Sequence, residues 1–195
     1  MPDSVVNFAF VIEGEGEVAA MPLLVRRICH ELLGVFAVRT ARPVRVTKAK
    51  LIRSGELERA IRLARSTNPA HGPVLVVLDA DDDCPALLGP SLKSRTQSGD
   101  TAIVIPKYEF ETWFLTAAAS LAGRRGLREG LVPRPDPEMV RGAKEWLTRN
   151  MVPGRTYSPA IDQAALVAGM DLNIARSCRS FERLCREIER LVASR

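Results

Sequence analysis

Asp79, Asp81, Asp82 and Asp83 place four carboxylates within five residues, directly after an apolar, β-branched run at residues 74–78 behind Gly72-Pro73. Such a run reads as a strand buried on both faces, as in a parallel sheet. In open α/β sheets, ligands bind in the crevice outside the carboxyl ends of the strands. Carboxylates this close repel one another unless water or a cation compensates. An all-oxygen set suits a hard ion, Mg²⁺ or Mn²⁺, better than zinc or copper. Asp is also favoured at turns and N-caps, so an acidic run alone is more often a solvated turn. A second acidic run in the same setting shifts the reading towards chemistry.

That second run follows VVNFAFVI at 5–12, another buried-strand pattern, and reads Glu13-Gly14-Glu15-Gly16-Glu17. Glu13 closes the strand, Glu17 opens a helix expected over 18–33, and Gly14 and Gly16 let the chain turn tightly between them. Pro22 fits that helix only in its first turn. A Gly-x-Gly after a strand also suits a phosphate cradle, but three glutamates would repel the phosphate and the third glycine is missing. A metal between carboxylates and phosphate fits better. A third apolar run, 101–105, leads into Glu109 and Glu111, of which a helix would turn only one towards the site.

Neighbouring strands of one parallel sheet bring Glu13 and Asp79 side by side, with Glu17 reaching back from its helix. Two divalent ions held there would orient an attacking water and stabilise the leaving oxygen of a phosphodiester. Lys107, Lys144 or an arginine among Arg124, Arg125 and Arg128 would offset charge on that phosphate, and spacing singles out none of the lysines.

The positioning elements alternate strand and helix, which predicts an α/β domain with a largely parallel sheet flanked by helices. Residues 35–38 and 44–47 are short strand patterns, either one interrupted strand or a hairpin. Amphipathic or apolar helices are expected at 55–67 and 85–97, a loop at 68–73 with His71 in solvent, and a loop at 123–134. Helices at 136–150, 158–168 and 173–193 complete the chain. In the last, Arg179, Arg183, Arg186 and Arg190 share one side and Phe181, Leu184, Ile188 and Leu191 another, and interleaved glutamates favour a solvated face over a phosphate-binding one. The division expected is an α/β core at 1–122 and a helical extension at 123–195 packed on the same domain.

The 195 residues suffice for one good core. Residues 1–120 carry 14 Lys/Arg against 14 Asp/Glu, and 121–195 carry 14 against 9, so the whole net charge of +5 lies in the last part. That permits a polyanionic partner without requiring one. No apolar run is long enough to span a membrane. The start, MPDSVVNF, lacks the basic segment of a secretory signal, so a cytoplasmic protein is expected. Cys29, Cys84, Cys178 and Cys185 have no metal-binding spacing and read as free thiols, three of them on apolar helix faces. Both tryptophans, Trp113 and Trp146, read as core.

A strand ending VIEG at 11–14 and a later one ending LDADDD at 78–83 resemble the Toprim domain of topoisomerases, primases and overcoming-lysogenization-defect nucleases. The step from Glu13 to Glu17 resembles the nuclease branch. With IPKYEFETWFL at 105–115 and RSCRSFERL at 176–184, nearly the whole chain is similar to an uncharacterised bacterial Toprim-like family, domain of unknown function 4276. The resemblance implies a Toprim-like, Rossmann-like fold and an Mg²⁺-dependent nuclease. It also implies an ATPase partner and a place in phage or mobile-element defence, or else a non-catalytic subunit of such an ATPase. By the family pattern Glu13 is a metal ligand or general acid/base, Asp79 and Asp81 hold the metal, Glu17 supports the first ion, and Asp83 is the third carboxylate of its run.

Overall fold

The computed structural model describes residues 5–68, 72–96 and 99–194. Its elements run β1 (Val6–Ile12), α1 (Glu17–Arg27), β2 (Val38–Thr40), β3 (Val44–Arg45), α2 (Lys48–Leu51), α3 (Glu56–Ser66), β4 (Val74–Val77), α4 (Pro85–Ser94) and β5 (Thr101–Val104). Helices follow as α5 (Thr112–Thr116), α6 (Ala118–Leu121), α7 (Ala143–Arg149), α8 (Pro159–Gly169), α9 (Leu172–Ala175) and α10 (Arg179–Ala193). The strands pair in the order β2-β1-β4-β5, with β3 also on β1, and every pairing is parallel.

The apolar strands are continuous because both faces of the sheet are covered. Phe8, Phe10, Ile12, Leu75, Val77 and Val104 point towards α1 and the C-terminal helices. Ala9, Val11, Val74, Val76, Ile103 and Ile105 point the other way, towards Leu57, Ala60, Ile61 and Ala64 of α3. The first face carries the larger core, where Trp113, Phe114, Leu166, Phe181, Leu184 and Ile188 are buried with the strand residues. The C-terminal helices therefore complete the core of the sheet. The fold is the expected α/β arrangement with a helical C-terminal segment.

One open alternative is settled and several local expectations are corrected. Val11 pairs with Val76 on one side and Val44 on the other, while Val6 pairs with Val38, so β2 and β3 are two pieces of one interrupted edge strand. Pro22 lies in the second turn of α1, because the helix starts at Glu17. The carbonyl of Val18 is thereby denied its usual backbone donor. Residues Ile28–Leu32 continue α1 as a π-helical turn closed by Leu33 N–H on the Ile28 carbonyl. The helix expected at 136–150 is a 3₁₀ turn, Pro137–Met139, and then α7, separated by Gly142 at φ 71°. Extended backbone at Cys178 likewise parts α9 from α10. His71 and Gln97 lie outside the described residues. Among the described residues, no helix is long and apolar enough to cross a membrane.

Candidate functional site

Because β1 and β4 are parallel neighbours, Ala9 opposite Val74 and Val11 opposite Val76, the chain leaves both strands at the same end. Glu13 and Asp79 lie just beyond those ends, one residue past Ile12 and two past Val77, and outside the sheet. Between Glu13 and α1 the turn is pressed against α8. A Cβ on Gly16 would collide with the Pro159 carbonyl and the Gln163 side chain, so only glycine fits. After β4, Ala80 N–H bonds to the Pro106 carbonyl and Asp81 N–H to that of Tyr108, pinning the acidic loop to the segment after β5. Asp81 and Tyr108 both take left-handed backbone, φ 48° and 63°. Asp tolerates this conformation; a bulky Tyr rarely adopts it.

The carboxylates divide into two groups, each tied to a lysine. Glu17, Asp79 and Glu111 line a cavity of about 300 Å³ with Gly16, Lys144 and Gln163. Glu17 is 3% and Glu111 1% exposed. Asp79 Oδ1 accepts the Phe110 N–H at 2.8 Å. Glu111 Oε1 accepts from the Tyr157 hydroxyl at 2.9 Å and from Gln163 Nε2 at 3.3 Å. Lys144 Nζ stands 3.5 Å from Glu111 Oε2 and 3.6 Å from Glu109 Oε2. Glu109 and Glu111 thus reach one lysine together. They precede α5 instead of lying within it, which corrects the expectation that helical spacing would part them.

Charge is undercompensated in this group. Among the described residues, Glu17 Oε2, Glu111 Oε2 and Gln163 Oε1 are buried without a hydrogen-bond partner. Burial first, and then the charge of Glu111, push the Glu17 carboxyl up to about 8, with backbone N–H groups of Glu13 and Gly14 pulling the other way. Withdrawal from water, then Glu17 and Glu111, raise Asp79 well above the usual carboxylate range. Burial raises Glu111 too, against the pull of Lys144 and Tyr157. Burial favours neutral Lys144, but Glu111, Asp79 and Glu109 outweigh it and raise its pKa.

The second group surrounds Lys48. Its Nζ donates to the Ala80 carbonyl and lies 3.0 Å from Asp81 Oδ2 and 2.9 Å from Asp83 Oδ2. Its backbone N–H donates to Glu13 Oε1 at 3.1 Å, while Glu13 Oε2 is buried without a partner among the described residues. The Lys48 side chain is 10% exposed; those of Asp81 and Asp83 are 60% and 55% exposed. Burial alone would lower the Lys48 pKa, but hydrogen bonds and charge from Asp83 and Asp81 prevail and raise it. Asp82 turns outward to Arg141, whose guanidinium lies over the Tyr108 ring.

Glu13, Glu17, Asp79, Asp81 and Asp83 all gather at the strand ends, but not around one point. Among the described residues, no group of three or more His, Cys, Asp or Glu side chains is arranged to hold a metal ion. Of the two candidate lysines, Lys144 lines the carboxylate cavity, whereas Lys107 Nζ lies over the Tyr108 ring. Arg124, Arg125 and Arg128 bond to the Ser120 carbonyl, Asp162 and the Met151 carbonyl, and none of them lines the cavity. Arg179, Arg183 and Arg186 face a separate groove of about 700 Å³ with Ile103 and Ile105 in its lining. There Arg183 pairs with Glu187 and Arg186 with Glu182, as the interleaved glutamates suggest.

Lys48, Tyr157 and Gln163 are absent from the sequence-based candidates. Lys48 carried a signal, since it follows a strand pattern as Glu13 and Asp79 do. The two-residue β3 and the open hairpin alternative hid it. Tyr157 and Gln163 lie in a stretch legible only as loop and helix.

An α/β protein with a wholly parallel sheet and a carboxylate-lined crevice at its strand ends is thereby defined. The family model described as domain of unknown function (DUF4276) matches residues 12–189, and the chain belongs to that family. No curated protein and no solved structure matches the chain.

Proposed function

We propose that this protein is a divalent-metal-dependent phosphodiesterase of the Toprim kind, acting on nucleic acid. The observation that carries the reading is the cavity lined by Glu17, Asp79 and Glu111 at the carboxyl ends of parallel strands, where Glu17 Oε2 and Glu111 Oε2 are buried without a hydrogen-bond partner among the described residues. Its donors are all oxygen, which fits Mg²⁺ or Mn²⁺. Three carboxyl groups held above their usual pKa mark where positive charge is wanted. Glu17, Asp79 and Glu111 line the cavity; as placed, no three carboxylates among the described residues form a metal group, and these three would hold the ion once drawn together. Once bound, it would supply Lewis-acid polarisation of a phosphoryl oxygen and a more acidic water.

The chain's own residues do the rest. Lys144 offers its ammonium to a phosphate oxygen from the cavity wall. Tyr157 and Gln163 fix Glu111 by two hydrogen bonds to one of its oxygens, leaving the other for the site. By the family pattern Glu13, held by Lys48 N–H and with Oε2 lacking a partner among the described residues, would accept the proton of the attacking water from outside the cavity lining. The positive excess after residue 121 suits a polyanionic substrate.

The test is calorimetric titration of Mg²⁺ and Mn²⁺, followed by cleavage assays on single- and double-stranded nucleic acid. Asp79→Asn and Glu111→Gln are expected to weaken ion binding by roughly 10- to 100-fold, since even outer-shell changes cost that much. Cleavage should be lost with it. Unchanged binding in both variants removes the ion from this cavity. A second reading is a non-catalytic subunit of an ATPase, and the lysine contact within each carboxylate group, Lys48 with Asp83 and Lys144 with Glu111, favours it. A stable complex with such an ATPase that binds no ion and cuts no nucleic acid would establish it.

A further inference from the structure

Among the described residues β5 pairs only with β4, so it is an edge strand. Val74 N–H bonds to the Asp100 carbonyl and Leu78 N–H to that of Val104. Backbone groups of successive residues in a parallel strand face opposite sides, so those of Thr101, Ile103 and Ile105 face away from β4. Lys93 Nζ donates to the Thr101 carbonyl. The N–H and carbonyl of Ile103 and the N–H of Ile105 have no partner among the described residues. Yet Ile103 and Ile105 are only 3% and 5% exposed. Backbone groups so enclosed are nearly always paired.

The groove of about 700 Å³ lies along this edge, between α4 on one face of the sheet and α10 on the other. Both helices run antiparallel to β5. Lys93, near the end of α4, meets Thr101, and Arg190, near the end of α10, donates to the Gly99 carbonyl at 2.7 Å. The two walls differ in kind. The α4 wall is small and apolar, with Pro85, Ala86 and Gly89. A Cβ on Gly89 would touch Ile105 Cδ1 at 3.8 Å, an ordinary contact, so this wall has room. On the α10 wall Arg183 and Arg186 pair with glutamates. Arg179, the first residue of α10, and Lys107, just beyond β5, also line the groove, and neither has a carboxylate partner among the described residues. Positive charge is therefore left over at the carboxyl end of the strand.

We propose that the free edge of β5 takes up an extended, acidic segment of a partner protein as an added strand. The backbone of that segment completes the hydrogen bonding of Ile103 and Ile105. Successive side chains of a strand point to opposite faces, so one set lies on the apolar wall of α4 and the other meets the cations of the α10 wall. A sequence alternating apolar and acidic residues fits both. A second copy of this chain fits poorly. Its own α4 and α10 would meet their counterparts before the two edges came within the ~4.8 Å of paired strands. The proposal goes beyond the phosphodiesterase reading and is independent of any ion in the carboxylate cavity.

The probe is a fluorescein-labelled peptide of alternating valine and glutamate, titrated with the full chain and followed by fluorescence anisotropy. Saturable binding is expected. Two alternately N-methylated versions report the mode. The one whose free N–H groups face β5 should bind like the parent, and the other about tenfold or more weakly. Arg179→Glu should weaken the valine–glutamate peptide and favour a valine–lysine one, and Gly89→Leu, which fills the apolar wall, should abolish binding. Arg179 is exposed, so its variant decides the matter should Gly89→Leu fail to fold. No saturable binding to the wild type, or equal binding of both N-methylated versions, overturns the proposal. A dimer in sedimentation that Arg179→Glu or Gly89→Leu dissolves would give the edge to a second copy and overturn it too. So would a single-stranded oligonucleotide that binds in place of the peptide and is lost in the same variants.

Discussion

Glu17, Asp79 and Glu111 illustrate how burial converts ordinary carboxylates into groups that need a counter-charge. In metal-free protein, Glu17 holds its proton up to about pH 8, whereas in the unfolded chain it ionises near 4.5. Between those values the folded state binds more protons than the unfolded one, so stability falls as pH rises through the window. Below it the penalty vanishes, and above it the penalty is complete. Asp79 and Glu111 shift in the same direction and add to the slope. Urea unfolding in chelator should therefore give a higher midpoint at pH 5.5 than at pH 8, and Glu17→Gln should flatten the difference. An equal slope in the variant would show that Glu17 is not the group responsible. The acidic residues were legible in the sequence because strand ends advertise themselves as apolar runs that stop abruptly. Their division between two lysines was not, since Lys48 lies 31 residues before Asp79 and Lys144 lies 65 after it. Only the folded chain shows which carboxylate each one meets.

Elements place these residues through close approach more than through specific bonds. The turn before α1 presses on the first turn of α8, and Gly16 fills the gap left by the Pro159 carbonyl. Gly16→Ala should cost about 1–3 kcal/mol, the usual range for overpacking a filled site. Thermal denaturation would register it, and a melting temperature equal to wild type would mean that α8 is free to move aside. Strands and amphipathic helices were the most legible elements. The spacing of Leu57, Ala60, Ile61 and Ala64 announced α3, and each of these residues is buried in it. Helix ends and breaks were less so. Gly142 in left-handed backbone splits a periodic stretch that reads as one helix. The parallel pairing of β2 and β3 on the same side of β1 depends on a third strand, β4, occupying the other side.

At the scale of the whole molecule, the sheet and the C-terminal helices share one core and one crevice. The segment after residue 122 supplies Lys144 and Gln163 to a cavity whose acids come from before it, and Tyr157 to hold one of those acids, Glu111. Sequence reading recognised the acidic half of that crevice. The neutral and basic half lies on helices whose register against the sheet is set by packing of Trp113, Leu166 and Phe181, which no local pattern encodes.

The thiols of this chain also differ sharply in their access to reagents. Cys29, Cys178 and Cys185 are buried, while Cys84 is exposed beside Asp83, at the start of α4. Burial pushes the Cys29 and Cys185 thiols up to about 12 and raises Cys178, which slows their alkylation further. A maleimide dye should accordingly couple once per native chain and four times after denaturation, as mass spectrometry would count. More than one label on the native protein would mean that a buried helix face opens readily. The unmodified sequence thus carries its own attachment point for a fluorophore, one residue from the acidic loop, where emission can follow that loop as cations are added.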